Sequence, residues 1–289
     1  MKNSTIKNII KLAIGLASLA PLTKTDQSFA LDACAPSGSV TSMASESNPC
    51  FITPEMLKVK FYEIGFCTSD PLSSGTFDNS TCHKSWDNTS GFTTDIGLRT
   101  FNAMPGNTYR IPNGRYGYSY AIMNNSWTYK GKYQIKNGNT WYTKSDGGVT
   151  SDISSYSEWK DDISDMLGEE TTGFCYDYSA TTADGPVTAV LTDSNNITAT
   201  NTASCNSATR VIGSINLSVP INMSEIVDGY RLKWKITNLG LGIGHFFNGS
   251  KQVPNSFRGG PFTPQFLLLQ KGTKLDDPTS GSSMQVITK

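Results

Sequence analysis

Histidine is almost missing from this chain: His83 and His245 are the only two in 289 residues. A Ser-His-Asp triad needs a histidine held by an acid beside a serine on a sharp turn. No Gly-x-Ser-x-Gly elbow is present. Neither is a His-Glu-x-x-His, a Cys-x-x-Cys or a calcium-loop pattern, so the usual metal-ligand spacings are missing. Charge is also sparse, at 17% of residues, and no polybasic cluster occurs. That argues against nucleic acid and anionic lipid as partners, since both call for a basic face. The sequence assigns no catalytic residue and no metal ligand, and it implies no cofactor.

Long apolar runs are equally scarce. The stretch Leu12–Leu22 follows the basic residues Lys2, Lys7 and Lys11. It is shorter than the roughly 18 apolar residues that cross a bilayer. Polar Thr23–Gln27 then leads to Ser28-Phe29-Ala30, with small residues at the −3 and −1 positions. The pattern predicts a secretory signal peptide over 1–30, cut after Ala30. The chain is then expected in a secreted, periplasmic or cell-surface location, with no transmembrane segment. Cleavage removes Lys2, Lys7, Lys11, Lys24 and Asp26, so 24 basic and 24 acidic residues become 20 and 23, a net charge of −3.

What the chain does hold is cysteine in even number: Cys34, Cys50, Cys67, Cys82, Cys175 and Cys205. In an oxidising compartment these read as disulfides. Sequential pairing, Cys34–Cys50, Cys67–Cys82 and Cys175–Cys205, closes three short loops rich in Ser, Thr, Asn and Gly. A competing reading takes Leu31-Asp32-Ala33-Cys34 as a lipoprotein box that would lipidate Cys34. Asp32 fits that box badly.

Composition favours an all-β fold. Thr and aromatics suit strands, while Asn, Gly and Ser suit turns. The expectation is a disulfide-stapled antiparallel β-sandwich or jelly roll with one short helix. Residues 31–56 read as an extended arm, 57–272 as the sandwich and 273–289 as a loose tail. In the first strand, Leu57–Phe66, the alternation shifts near Glu63, which suggests a bulge. Tyr116–Met123 and Trp127–Ile135 read as a hairpin joined at Asn124-Asn125. Lys136–Asn139 reads as a second turn. Asp152–Leu167 carries apolar residues at helical spacing and reads as the helix, with a possible division into two β units near 151–168. A repeated Gly-Phe-Cys, at Gly65–Cys67 and Gly173–Cys175, fits such a division. Tyr230–Ile236 alternates cleanly and predicts a half-buried strand. Phe266–Leu269 is apolar on both parities and predicts a central strand covered on both sides. Gly240, Gly242 and Gly244 suggest a bend at a sheet corner.

Aromatic residues crowd one window. Tyr116, Tyr118, Trp127, Tyr129, Trp141 and Tyr142 are the candidate binding residues, because flat rings stack on sugars and suit protein interfaces. Core packing is the competing account of the same residues. Glu63 is an unusual acid in a strand, and Asp161, Asp162 and Asp165 form an acidic group. Neither has an evident catalytic or calcium-binding partner set. The function expected is that of an exported, non-enzymatic structural or adhesive surface protein, working by self-association or contact with other surface proteins. The 31–53 arm is available to add a strand to a neighbour. A carbohydrate-binding, lectin-like module is the alternative, and a secreted hydrolase a further one.

Overall fold

Period-two alternation, evident in the sequence from Leu57 onward, dominates the architecture. A computed structural model describes residues 29–30, 34, 50–97, 101–134, 138–163, 178–248, 251–271 and 283–287. Its strands begin with β1 (Phe29–Ala30), β2 (Cys50–Ile52), β3 (Met56–Cys67), β4 (Cys82–Asp95), β5 (Phe101–Ala103), β6 (Asn107–Thr108) and β7 (Gly114–Asn124). Next come β8 (Ser126–Lys130), β9 (Lys132–Gln134), β10 (Thr140–Thr143), β11 (Val149–Thr150), β12 (Trp159–Asp162), β13 (Tyr178–Thr182) and β14 (Gly185–Thr192). The remainder are β15 (Arg210–Met223), β16 (Val227–Lys235), β17 (Leu241–Asn248), β18 (Lys251–Gly259), β19 (Thr263–Gln270) and β20 (Ser283–Ile287). Among the described residues the α-helix is a single short one, α1 (Thr202–Asn206), started by a reciprocal cap between Asn201 and Ser204.

A ten-stranded sheet runs β1-β13-β14-β15-β7-β3-β4-β6, with β8 and β12 attached beside β3. A second sheet has the order β19-β16-β20-β5, a third β18-β17-β2 and a fourth β11-β10-β9. Pairing is antiparallel except at β1/β13 and β20/β5. The large sheet packs face-on against the second. Phe61 stacks on Trp234 with ring centroids 5.0 Å apart, and Phe66 meets Tyr230 edge-on at 5.2 Å. Each such buried side chain contributes about 1.5–3 kcal/mol. The result is an all-β, sandwich-like fold whose main core runs from Leu57 on β3 to Phe262.

The bulge expected near Glu63 is present. The β3–β4 register shifts between Phe61 and Glu63. One extra residue returns Ile64 and Phe66 to the core face of Phe61, and Tyr62 and Cys67 face the other side. That other side is covered by the Cys67–Cys82 loop, whose Leu72 and Phe77 pack on Tyr120 and Ile122. Cys34–Cys50 and Cys67–Cys82 are both disulfides. Cys205 is also disulfide-bonded, while its expected partner Cys175 lies outside the described residues. Because the Cys34 sulfur is committed to Cys50, it is not available for lipidation.

Several expectations need correction. Asp152–Leu167 is not a helix as far as it is described, to Ile163: a 3₁₀ turn at Ile153–Ser155 precedes β12, which pairs with β8. Trp159 and Ile163 are buried while Ile153 is exposed. Two residues four apart share a face in a strand as well as in a helix, so the spacing was ambiguous. Asn124-Asn125 is not a hairpin turn. β7 and β8 lie one after the other along the same edge of β3, from Tyr118 opposite Cys67 to Lys130 opposite Met56. Asn125 marks a kink where the chain stops pairing with β15 and starts pairing with β12. Its side chain bridges Asp162 and the Ala208 carbonyl.

Phe266–Leu269 is not central: among the described residues β19 ends its sheet, and Leu267 is 58% exposed. The tail beyond 272 is not wholly loose, because β20 sits between β16 and β5. Nor is the arm free at its C-terminal end, where Cys50–Ile52 pairs with Leu241–Ile243 of the same chain. Among the described residues no sheet boundary falls at 151–168. β7, from before that segment, pairs with β15, from after it.

Candidate functional site: an apolar cleft between the sheets

The six candidate aromatics do not form one exposed surface. Tyr116, Trp127 and Tyr129 are buried, so their ring faces meet protein instead of ligand. Trp127 packs on Phe262, Tyr129 on Trp159, and Tyr116 beside Phe66. Tyr118, Trp141 and Tyr142 are half-buried. Tyr142 lies 4.9 Å from Tyr156, whose ring also carries the Lys130 ammonium at 4.5 Å. Glu55 accepts the Tyr156 hydroxyl and pairs with Lys132 at 2.9 Å. Burial pushes the Tyr156 hydroxyl up, and the Glu55 bond adds to that shift.

Glu63 acquires the acidic neighbour the sequence did not reveal. Asp87 is its cross-strand partner, and Lys84 sits between them, 2.5 Å from Asp87 and 3.8 Å from Glu63. Tyr120 donates to Glu63 at 2.6 Å, while Asn107 and Tyr109 donate to Asp87 at 2.9 and 3.0 Å. Burial acts to raise the Asp87 carboxyl, but the bonds from Lys84, Asn107 and Tyr109 outweigh it and hold it low. A general acid for glycoside cleavage needs a raised carboxyl instead. The pair reads as a satisfied cross-strand network.

Asp161 and Asp162 also have structural partners. Asp161 accepts the Gly259 amide and Asp162 the Asn125 side chain. Asp165 lies outside the described residues. His83 is exposed and rests edge-on near Tyr116, and the His245 side chain lies outside the described set. Gly240 does make the expected bend, at φ +81°. Its amide donates to Pro261 and its carbonyl accepts from Gly260.

An apolar opening lies elsewhere. A cleft of about 80 Å³ lies between the large sheet and the second sheet. One wall comes from β7 and β15, through Ala121, Met123, Val211 and Ile215. Trp127 and the Gly259–Phe262 connection form the floor with Trp234 of β16. Val187 and Ala189 of β14 face Pro264 and Phe266 of β19, and these four half-buried residues line its mouth. One end is tied by Asp184, in the β13–β14 turn. It accepts from Lys235 at 3.0 Å, Thr263 at 2.8 Å and Gln265 at 3.3 Å. Burial acts to raise that carboxyl too, and the three donors more than offset it.

The cleft wall is mostly carbon, and its polar side chains are Ser119, Tyr120, Ser214 and Trp234. Ser119 shares a face of β7 with Ala121 and Met123. Trp234 is 5% exposed, and among the described residues its indole N–H is buried with no acceptor, as the Ser214 hydroxyl is with no partner. Periodicity placed Trp234 on the inner face, but only the packed sheets reveal that β14 leaves room there. The cleft holds no acid pair and no described histidine. Among the described residues no cluster of metal-ligating side chains exists.

Comparison with family models, curated proteins and solved structures finds no match. The reading of this site therefore stands on its own chemistry.

Proposed function

We propose that this is an exported, non-enzymatic surface protein that self-associates into a structural or adhesive assembly. The disulfides fit an oxidising compartment, and no described helix is long and apolar enough to cross a membrane. The observation that carries the reading is β19. Among the described residues it pairs with β16 alone, and Leu267 projects from its solvent face. Natural sheets usually blunt such edges with charge, bulges or proline; a long apolar edge invites pairing with another chain. Pro264 protects only the start of β19.

Processing would add a second edge. β1 ends at Ala30, so cleavage after that residue removes it and uncovers β13, its partner among the described residues. The arm is a weaker candidate for strand donation, since Cys50–Ile52 is already paired in its own chain.

Negative-stain electron microscopy of the processed protein across a concentration series tests the reading. Filaments or regular oligomers that Leu267→Lys dissolves support it. Monomers at every concentration refute it. The Tyr142–Tyr156 pair beneath Lys130 favours a second reading, glycan binding, because it is a half-exposed aromatic ledge with charges at its rim. A glycan array with wild type and Tyr142→Ala distinguishes the two.

A further inference from the structure

We propose that the cleft is a binding site for a small apolar carbonyl compound, a ketone or ester whose oxygen accepts the Trp234 indole N–H. The room, about 80 Å³, is several times the roughly 10–15 Å³ that one water requires. Water filling that volume is nevertheless a poor occupant, since each molecule wants two to four polar partners and Ser119, Tyr120, Ser214 and Trp234 are too few for several molecules. A hydrocarbon body fits the carbon surface of Ala121, Met123, Val211 and Phe262.

The polar handle selects the functional group. An indole N–H donates and never accepts, so the ligand must bring an acceptor. A carboxylate is excluded, because no cation lines the cleft to receive its charge. An alcohol can accept the same proton, but its own O–H must then find an acceptor at Ser119 or Ser214, a demand that a carbonyl does not make. A carbonyl oxygen takes the Trp234 proton and has a second lone pair for Ser119. Entry is open between Val187 and Ala189 on one lip and Pro264 and Phe266 on the other.

The site is independent of the β19 edge. Leu267 and Phe266 are adjacent in a strand and so point to opposite faces. Loss of self-association would leave the cleft intact.

The test titrates the purified, disulfide-intact protein with acetophenone and with ethylbenzene, a matched pair with and without the carbonyl. Binding is followed by proton–nitrogen NMR of the indole N–H signals, the Trp234 signal being the one lost in Trp234→Phe. Both compounds are expected to bind, acetophenone at least tenfold more tightly. Only acetophenone should move the Trp234 signal downfield. Ala189→Leu, which narrows the mouth, should weaken both at least tenfold with an unchanged circular dichroism spectrum. Gly213→Ala is a milder second variant, since its new Cβ would lie 3.4 Å from Met123 Cε. Failure of either compound to bind, equal affinities with an unmoved Trp234 signal, or binding unaffected by both variants would overturn the proposal.

Discussion

Cutting the polar link between the two sheets should cost a different amount at each end. Ser85 Oγ lies 2.6 Å from the Tyr230 hydroxyl and donates to the Ile64 carbonyl at 2.7 Å. Serine has one proton, already committed to Ile64, so Tyr230 is the donor in the first bond. Both side chains are fully buried. Tyr230→Phe removes the donor and leaves Ser85 still bonded to Ile64, at a cost of about 1 kcal/mol. Ser85→Ala strands the Tyr230 hydroxyl in a dry core and also strips Ile64 of its bond. That costs about 2–3 kcal/mol. The double variant has no stranded hydroxyl and should be at least as stable as Ser85→Ala alone. Urea unfolding under oxidising conditions, read by tryptophan fluorescence, gives all three values. Equal losses from the two single changes, or a double variant whose loss is their sum, would refute the assigned direction of the bonds.

Stability should also decline in acid. The Asp87 and Asp184 carboxyls titrate below the aspartate reference of 3.8 in the folded protein. Their contribution is complete above that reference and disappears as pH falls through the lowered folded values. Melting temperatures from neutral to strongly acidic pH should show the decline, and Asp184→Asn should flatten it. Gly185 has φ +132°, and a Cβ there would overlap the Asn216 carbonyl oxygen. Gly185→Ala should thus destabilise by more than about 1 kcal/mol, measurable by the same urea titration. Removing Cys34–Cys50, which spans 16 residues, by a double serine change should cost about 3 kcal/mol. A calorimetric scan that shows no loss would mean the bridge constrains little of the unfolded chain.

Strand character was legible wherever one face is dry and the other wet. Tyr230, Leu232 and Trp234 against Arg231, Lys233 and Lys235 is such a case, and burial follows the alternation. The bulge in β3 was legible because a shift in parity has few other causes. Long-range pairing was not. The sequence near Asn124 carries turn residues, yet whether the chain reverses there depends on β3 and β15, which bind β7 from both sides. The cleft was invisible for a related reason. A missing volume is a property of two packed sheets, and no residue in either announces it. The aromatic window misled because a tyrosine in a strand looks the same whether the core or a ligand meets its ring. Asp87 escaped notice because its pairing with Glu63 exists only across two strands.

The pairing of Cys50–Ile52 with Leu241–Ile243 has a consequence for biogenesis. In a chain made in amino-to-carboxyl order, this early segment must wait for a strand about 190 residues later before it can dock. Until then β2 is held by local links, the Cys34–Cys50 bridge and the Cys34 amide donating to the Phe51 carbonyl, which can form before the rest of the chain is complete. Non-local closure of this kind slows folding. The early bridge keeps β2 preformed, so closure of the sandwich draws on oxidation of Cys34 and Cys50 as well as on strand pairing.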